Sequence, residues 1–406
     1  MNITDKTAIR LCTSCQMCAA VCPKSAIRIS LDKDGFYRPS VDDNLCVNCG
    51  ICMRICYKFD KHIETSDTEI LTNTKLYGAT AKDINVVNNT TSGGVADIMA
   101  RQLMKDGYRC VGVVYDGGND TAIDKVATTE EDLTGFRGSK YIQSYTLDAF
   151  KEVVENCKTE KYAIFGTPCH IYALDKYLRQ HKMREQHMLI DLYCHGCPSL
   201  NIWKKYVRDV KLKIGEEKID YVNFRSKVKG WGKFCIVVIV GGKPVYYSER
   251  KNNYFFDIFF SDQILNEACN DCLLRGTLAY TDIRLGDFWG KRYVMNDKGV
   301  SAVSIVSESA KDLFEKITEK LNFKEENYED FLPWQSWGKC HHPNEDLRKT
   351  LLAQLRDDKT SLRTSIVTIQ NQQSVHRKFS RIAKHIIQSL PVRFEKRIRW
   401  IFYKIH

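Results

Sequence analysis

Cys12-Thr-Ser-Cys15-Gln-Met-Cys18-Ala-Ala-Val-Cys22-Pro23 is matched downstream by Cys46-Val-Asn-Cys49-Gly-Ile-Cys52-Met-Arg-Ile-Cys56. Both runs read Cys-x-x-Cys-x-x-Cys-x-x-x-Cys. Two-residue gaps let one tight loop wrap three thiolates around a corner of a cube. Where two such cubes share a small fold, the fourth cysteine of each run crosses to the other cube. The spacing therefore assigns Cys12, Cys15, Cys18 and Cys56 to one 4Fe–4S cluster, and Cys46, Cys49, Cys52 and Cys22 to a second. Structural zinc sites need only four cysteines, usually in Cys-x-x-Cys pairs, and leave this spacing unexplained. Tyr57 stands where the first run has Pro23, a mild departure because that proline shapes the loop and is not a ligand. Gly50 permits close backbone approach to the second cube.

Residues 8 to 60 are thus expected to form a bacterial-type ferredoxin module, and the protein to move electrons. The chain has 406 residues, enough for two or three domains. Its 17 cysteines fall largely in tight runs. Met1 is followed by a polar stretch with no apolar leader. Both features point to a reducing, cytoplasmic compartment with thiolate-bound metal rather than disulfides. No run of eighteen or more apolar residues predicts a transmembrane helix. The net charge of +11 comes largely from residues 377–406, with nine Lys/Arg against Glu395. The remainder is close to neutral, which excludes a nucleic-acid-binding protein with a basic body.

Residues 1–65 form the cysteine-rich module, and residues 66–90 read as a polar connector. From Thr91 to about Val306 helices and strands alternate. The predicted strands are Tyr108–Tyr115, Tyr162–Gly166, Met188–Tyr193, Lys218–Phe224, Phe234–Val240, Asp282–Asp287 and Val300–Val306. The predicted helices include Gly94–Lys105, Leu147–Cys157, Ile171–Leu178 and Leu200–Val210. Beyond Ser309 the pattern is helical and charged, as in Ala310–Leu321 and Glu345–Arg356. The expected fold class is a multidomain α+β and α/β chain: a ferredoxin fold, a mixed-sheet α/β body and a helical C-terminal tail.

Outside the two runs, Cys169 and Cys194 each follow a predicted strand, and Cys269 and Cys272 form a Cys-x-x-Cys pair. These four could hold a third cluster or be ordinary buried cysteines; spacing alone leaves both readings open.

Six segments resemble the coenzyme F420 hydrogenase/dehydrogenase beta-subunit family, in the family's order. They are Thr91-Ser-Gly-Gly-Val95, Phe136-Arg-Gly-Ser-Lys-Tyr141, Gly166-Thr-Pro-Cys-His-Ile171, Cys194-His-Gly-Cys-Pro-Ser199, Cys269-Asn-Asp-Cys272 and Leu285-Gly-Asp-Phe-Trp289. They span roughly residues 75 to 310. No single motif is decisive; their order is what carries the resemblance. It implies a body that binds FAD and passes electrons between clusters and an organic substrate or a deazaflavin carrier. It also makes Cys169, Cys194, Cys269 and Cys272 ligands of a body cluster. Two positions depart from the family: Cys197, where an apolar residue is usual, and His170, where glutamine is common. The implied division is a ferredoxin domain at 1–65, two parts of a beta-subunit-like body at 75–155 and 156–310, and a basic helical region at 311–406.

A flavin needs backbone donors at its ring edge and phosphates. Thr91, Ser92, Gly93 and Gly94 open a helix and could supply them; a simple capped helix start is the plainer reading. Arg137, Gly138, Ser139 and Lys140 form a second polar loop, where a cation could pair with the pyrophosphate or stabilise anionic reduced flavin. A solvated basic loop is its alternative. Thr167 and Pro168 sit at a strand's carboxyl end, where α/β sheets place ligands. Asp287, Phe288 and Trp289 either pack near the cofactor or belong to an aromatic core. Lys140, His170 and His195 are the candidate catalytic residues, His195 as proton donor; a satisfied structural histidine is the plainer reading of His195. No G-x-G-x-x-G follows a strand, which argues against a nicotinamide site.

In the tail, Ile382, Ile386, Leu390, Phe394, Ile398 and Trp400 are interleaved with Lys and Arg around Pro391. The tail either docks on the body or lies on an anionic membrane surface at the cytoplasmic face. Cys340-His341-His342 reads as surface. The leading expectation is an iron–sulfur flavoprotein oxidoreductase with two 4Fe–4S clusters, a third left open, and FAD. It would exchange electrons with a ferredoxin or other redox partner and act on a small-molecule substrate, a sugar-linked one being what the resemblance to bacterial family members associated with cell-surface polysaccharide synthesis implies. The alternative is an electron-transfer subunit that docks on a larger dehydrogenase. An apolar patch flanking the clusters would favour the latter, and a pocket beside the flavin the former.

Overall fold

The computed structural model describes every residue up to 372 except 66–67, 249–252 and 294, and beyond 372 only 394, 397 and 398. The expectations for the C-terminal tail therefore fall almost wholly outside the described residues. None of the described helices is long and apolar enough to cross a membrane.

The cysteine-rich module repeats its backbone as well as its sequence. In the first run Ser14 and Gln16 adopt φ of 67° and 63°; in the second, Asn48 and Gly50 adopt 52° and 74°. Left-handed residues at the same two positions coil each loop so that successive N–H groups face inward. A one-turn helix follows each loop, Met17–Ala20 and Ile51–Arg54. Between the runs lies a hairpin of β1 (Ile27–Leu31) and β2 (Tyr37–Val41), with Ile27 opposite Val41.

The body is built on a nine-stranded mixed sheet. Its strands are β3 (Lys75–Ala81), β4 (Tyr108–Asp116), β5 (Thr121–Ala127), β6 (Ser144–Tyr145), β7 (Lys161–Phe165), β8 (Met188–Leu192), β12 (Ile283–Asp287), β13 (Ser301–Ile305) and β14 (Leu321–Glu325). They lie in the order β14-β3-β13-β12-β8-β7-β4-β5-β6. The intervening β9 (Tyr221–Ser226), β10 (Cys235–Val240) and β11 (Lys243–Tyr247) make a separate antiparallel sheet. Strands β4, β7, β8 and β12 run parallel. Their centres are continuously apolar, as expected for strands covered on both faces; Tyr162, Ala163, Ile164, Leu189 and Ile190 have no exposed surface.

Helices Val95–Lys105 and Glu308–Ile317 cover one face, with Met99, Leu103, Leu313 and Phe314 against Ile190 and Ile283. Helices Leu147–Asn156 and Pro168–Gln180 cover the other, and their core is continuous with the cysteine-rich module: Phe150, Tyr172 and Leu174 share a cluster with Met17, Val21, Ile55 and Tyr57. Burial of each such side chain contributes ~1.5–3 kcal/mol, so the module is anchored to the sheet's helical layer.

Residues 66–90, expected to be a connector, contain β3, the second strand from the sheet's β14 edge. Its sequence, Lys-Leu-Tyr-Gly-Ala-Thr-Ala, hides the strand behind small residues: a Cβ on Gly78 would sit 2.4 Å from the Tyr293 hydroxyl. The region beyond Ser309, expected to be helical, also contributes the edge strand β14, whose exposed Asn322–Glu325 stretch carries little apolar signal. Strands β3–β6 come from residues 75–155, and β7, β8, β12 and β13 from 156–310, so the two stretches build one sheet.

Candidate redox centres

The cysteine runs converge in two sets. The Cys18 thiol is raised well above its ordinary range, first by burial and then by Cys15, Cys56, Cys12 and Cys52. Burial pushes Cys15 up to about 11, with Cys12 adding to it. Burial and then Cys15 raise Cys56. Cys12, Cys15, Cys18 and Cys56 line one cavity together with Ile29, Tyr37, Pro39 and Tyr57. Cys52 is raised by burial, then by Cys22, Cys49 and Cys46. Cys56 thus neighbours the first run and Cys22 the second. Crowded, mutually repelling thiols, partly exposed at Cys49, are a poor arrangement for free cysteines and a suitable one for ligands that ionise when a cation arrives. Each set thus fits a 4Fe–4S cluster.

A third set of thiols gathers at the sheet's carboxyl edge. Cys169 follows β7 and Cys194 follows the neighbouring β8. Cys169 is raised by burial, then by Cys15, and also by Cys194 and Cys272. Burial pushes Cys269 up to about 12, with Cys194 and Cys272 contributing. Cys197 is raised by burial, then by Cys269, Cys194 and Cys169. Five thiols therefore share this place, the four singled out by sequence plus Cys197, whose backbone N–H donates to Cys269 Sγ at 3.4 Å. The Thr167 hydroxyl lies 3.2 Å from Cys169 Sγ. Thr167 and Pro168 thus belong to the approach to Cys169, as the first residues of helix Pro168–Gln180.

The influence of Cys15 on Cys169 places this set beside the first, and side chains lock the junction. Gln16, buried in its left-handed conformation, accepts from Thr146 N and Leu147 N at 3.0 and 3.2 Å and donates to the Ser144 carbonyl at 3.0 Å. Fully buried Asn266 donates to Ser14 Oγ at 3.0 Å, and its N–H donates to the Cys197 carbonyl at 2.7 Å. Arg38 donates to the Cys12 carbonyl at 2.9 Å. Two buried arginines stand by the third set: Arg275 donates to the Cys269 and Lys339 carbonyls, and Arg284 donates to the Arg275 carbonyl at 3.3 Å. Both cations work against burial at Cys194 and Cys272 and favour the thiolate. Sequence reasoning passed over Gln16, Asn266, Arg275 and Arg284. An arginine inside the apolar run of β12 was the one readable signal.

The loops expected to hold a flavin also meet. Thr91 Oγ1 accepts the Ser139 N–H at 2.8 Å, and the Tyr221 hydroxyl donates to the Arg137 carbonyl at 2.8 Å. The individual roles shift, however. The Gly93 N–H is occupied by Ser301 Oγ at 3.0 Å, and a Cβ there would lie 2.2 Å from the Ala79 carbonyl oxygen, so its smallness serves packing against β3 and β13. Gly94, at φ +85°, starts the helix against Val86. Arg137 is engaged by Asp97 through two hydrogen bonds of 2.8 and 3.1 Å. Lys140 donates to the Gly135 and Arg137 carbonyls at 2.8 and 3.0 Å, and burial lowers its pKa to about 7, against the pull of Asp124. Lys227, absent from the sequence reading, donates to the Val87 and Ser92 carbonyls and is likewise brought by burial to about 7. Trp231 stacks on Trp289 with ring centroids 4.0 Å apart, and its buried indole N–H has no partner among the described residues. A Cβ on Gly299 would lie between that nitrogen and Ser92. Asp287 pairs with buried Arg225, which also donates to the Tyr141 hydroxyl at 3.0 Å, while Phe288 is core.

The histidines separate. His170 packs edge-on against Phe150, and burial lowers its pKa to about 4, leaving it neutral at neutral pH. His195 Nε2 lies 2.6 Å from Asp262 Oδ1. His341, expected at the surface, is 3% exposed and packs on His195. Its neighbours Cys340 and His342 are exposed.

Comparison with known proteins follows the same division. Residues 11–58 match the 4Fe-4S dicluster domain, and residues 159–330 match the C-terminal part of the coenzyme F420 hydrogenase/dehydrogenase beta subunit. The coenzyme F420 hydrogenase subunit beta of Methanococcus voltae is 27% identical over 243 residues, covering 57% of this chain and 80% of that protein. A chain from the xenon-derivatised F420-reducing NiFe hydrogenase complex of Methanosarcina barkeri aligns with a TM-score of 0.44 at 18% identity, over 74% of this chain and 92% of that one. The chain thus resembles the coenzyme F420 hydrogenase/dehydrogenase beta-subunit family of oxidoreductases over residues 159–330 and carries a 4Fe–4S dicluster domain in front, the make-up of an iron–sulfur electron-transfer protein.

Proposed function

We infer that the chain is a flavin-dependent member of this family that connects three iron–sulfur clusters to FAD. The carrying observation is the row of sites along one edge. The Cys46/Cys49/Cys52/Cys22 set adjoins the Cys12/Cys15/Cys18/Cys56 set, and Cys15 adjoins Cys169. Beyond the body thiols, the carboxyl end of β12 leads to Asp287–Trp289, and β13 and β3 lead to Ser301 and the Thr91–Gly94 loop. Clusters so held supply one-electron storage, and a flavin supplies exchange between one- and two-electron chemistry.

The chain's own groups fit that use. Arg275 and Arg284 offset the charge of the body thiolates. The Thr167 hydroxyl, near Cys169 Sγ, can stabilise the reduced centre by hydrogen bonding to sulfur. Lys140 and Lys227, each near pKa 7, can hold or release a proton beside a cofactor at neutral pH. The unpartnered Trp231 N–H supplies a buried donor at the same loop. An anaerobic preparation should contain about twelve irons and one FAD per chain, three clusters of four. About eight irons with FAD would remove the body cluster. Absence of flavin after reconstitution would refute the flavoenzyme reading.

One observation favours use as a subunit docked on a larger dehydrogenase. Cys49 is exposed, and around its loop Met1, Leu45 and Val47 are 62%, 47% and 60% exposed. An apolar rim at the outermost ligand set is suited to a redox partner surface. A Val47→Glu substitution should slow electron exchange with the partner while leaving iron content unchanged; an unchanged rate would place docking elsewhere.

A further inference from the structure

His195, Asp262 and His341 come from three separated parts of the chain: the loop after β8, the turn after helix Tyr254–Phe259, and the segment ahead of helix Glu345–Arg356. Their ligand atoms all lie within 4.8 Å of one another. The His341 ring decides what the cluster can be. Its Nε2 lies 2.6 Å from the His195 carbonyl oxygen, which can only accept, so Nε2 carries the hydrogen. In a neutral ring Nδ1 then presents a lone pair. That lone pair faces the Asp262 carboxylate, with Oδ2 at 3.2 Å. The Nδ1 atom is buried, and among the described residues it makes no hydrogen bond of good geometry beyond this ion-pair contact. Two acceptors in apposition repel unless a cation, a proton or a metal ion, lies between them.

We propose that His195, Asp262 and His341 bind a zinc-class divalent metal ion, separate from the iron–sulfur ligands. Two imidazoles and a carboxylate are a donor set such an ion accepts, and three protein ligands leave one position open. His195 and Asp262, with side chains 22% and 27% exposed, leave that position accessible to solvent. The hydrogen bond from His341 Nε2 to a backbone carbonyl is the usual outer support of a metal-bound imidazole. Tetrahedral zinc separates its N and O ligands by about 3.3 Å. His341 Nδ1 and Asp262 Oδ2 already match, whereas His195 Nε2 lies 2.6 Å from the other oxygen, Oδ1, and would give up that contact to share the ion. The ion would pin the segment ahead of helix Glu345–Arg356 to the loop that carries Cys194 and Cys197.

The test uses the full chain, purified anaerobically with its iron, and counts zinc and iron per chain by mass spectrometry. The expected result is about one zinc beyond the iron, lost in Asp262→Asn and His341→Gln with iron unchanged and retained in His342→Ala. Zinc-edge X-ray absorption on the unmodified chain, which depends on no variant folding, should show a nitrogen and oxygen shell with imidazole scattering. A sulfur shell would mean zinc has strayed into a cysteine site and would overturn the proposal. So would zinc that survives both ligand substitutions, or a chain that takes up none from excess zinc. In the last case a proton, not a metal, bridges Asp262 and His341.

Discussion

Arg284 on β12 grips Asp191 on β8 through two parallel hydrogen bonds, Nε to Oδ1 at 2.7 Å and Nη2 to Oδ2 at 2.6 Å, between residues in direct register on adjacent strands. Both side chains are at most 3% exposed. The remaining guanidinium donors go to the Arg275 and Leu274 carbonyls, at 3.3 and 3.2 Å, in the turn that follows Cys272. One buried ion pair thereby sets the spacing between the strand that leads to Cys194 and the turn that positions Cys272. Arg284→Met leaves Asp191 a buried, uncompensated carboxylate, which costs about 3–5 kcal/mol. The denaturant midpoint should fall accordingly and the body iron should be lost. Adding Asp191→Leu should recover much of the stability without the iron, because removing both charges also removes the desolvation penalty. A single variant as stable as the parent would show that the pair does not organise this edge.

Gln16 gives a second, more local test. Its buried amide satisfies Thr146 N, Leu147 N and the Ser144 carbonyl at once, and so ties the first cysteine loop to the start of helix Leu147–Asn156. Gln16→Ala strands these backbone groups, at a cost of about 1–3 kcal/mol. Gln16→Gly removes the strain of φ 63° yet restores none of the hydrogen bonds. Both variants should therefore expose the module to limited proteolysis, with glycine the milder. If glycine restored full resistance, strain rather than the amide would be the dominant local term.

These two residues show what the sequence made legible. The ferredoxin runs could be read because ligand spacing is a local property. The crossing of Cys22 and Cys56 is likewise an expectation of the pattern. The convergence of Cys169, Cys194, Cys269 and Cys272 depends on β8 lying between β7 and β12, a long-range fact that no spacing encodes. Strand β3 was hidden because small residues replace the usual β-branched ones where helix and loop pack close. Gln16 and Arg284 looked like ordinary polar residues until their surroundings were known. His341 was misread for the same reason: its sequence neighbours are exposed, and its burial comes from contacts far away in the chain.

The Asp124 and Lys140 pair predicts a pH dependence. Burial raises Asp124 from 3.8 to about 7 and lowers Lys140 from 10.5 to about 7. Between the unfolded and folded values of Asp124, the folded chain keeps a proton that the unfolded chain releases, so stability falls as pH rises from about 4 to 7. Above 7 the unfolded chain keeps the lysine proton that the folded chain has lost, so stability rises toward pH 10. His170, which burial lowers to about 4, adds the opposite slope below about pH 6.5, so each contribution is read as the difference between variant and parent. Denaturant midpoints are compared at about pH 5.5, 7 and 9. The margin of the parent over Asp124→Asn should shrink from pH 5.5 to 7. Lys140→Met should reduce the alkaline arm and leave part of it, because Lys227 titrates in the same range. A margin over Asp124→Asn that is the same at pH 5.5 and 7 would refute the assignment.

Cys197 and Cys269 separate ligation from proximity. Both thiols are raised by burial and both lie among the body cysteines. Cys269 Sγ additionally accepts the Cys197 N–H, the kind of backbone donor that supports a cluster thiolate. That bond comes from the main chain of Cys197 and survives replacement of its side chain. Cys269 also pairs with Cys272 across a Cys-x-x-Cys turn, whereas Cys197 faces the junction with Asn266. Cys197→Ser should therefore keep the body iron and leave its reduction potential nearly unchanged, while Cys269→Ser should lose about four irons per chain. Electron paramagnetic resonance of the reduced protein distinguishes the outcomes, since only the second variant should lack the body-cluster signal. Loss of that signal in Cys197→Ser, with its retention in Cys269→Ser, would exchange the two assignments. The departure from the family at residue 197 would then be a change of ligand rather than an extra thiol beside the cluster.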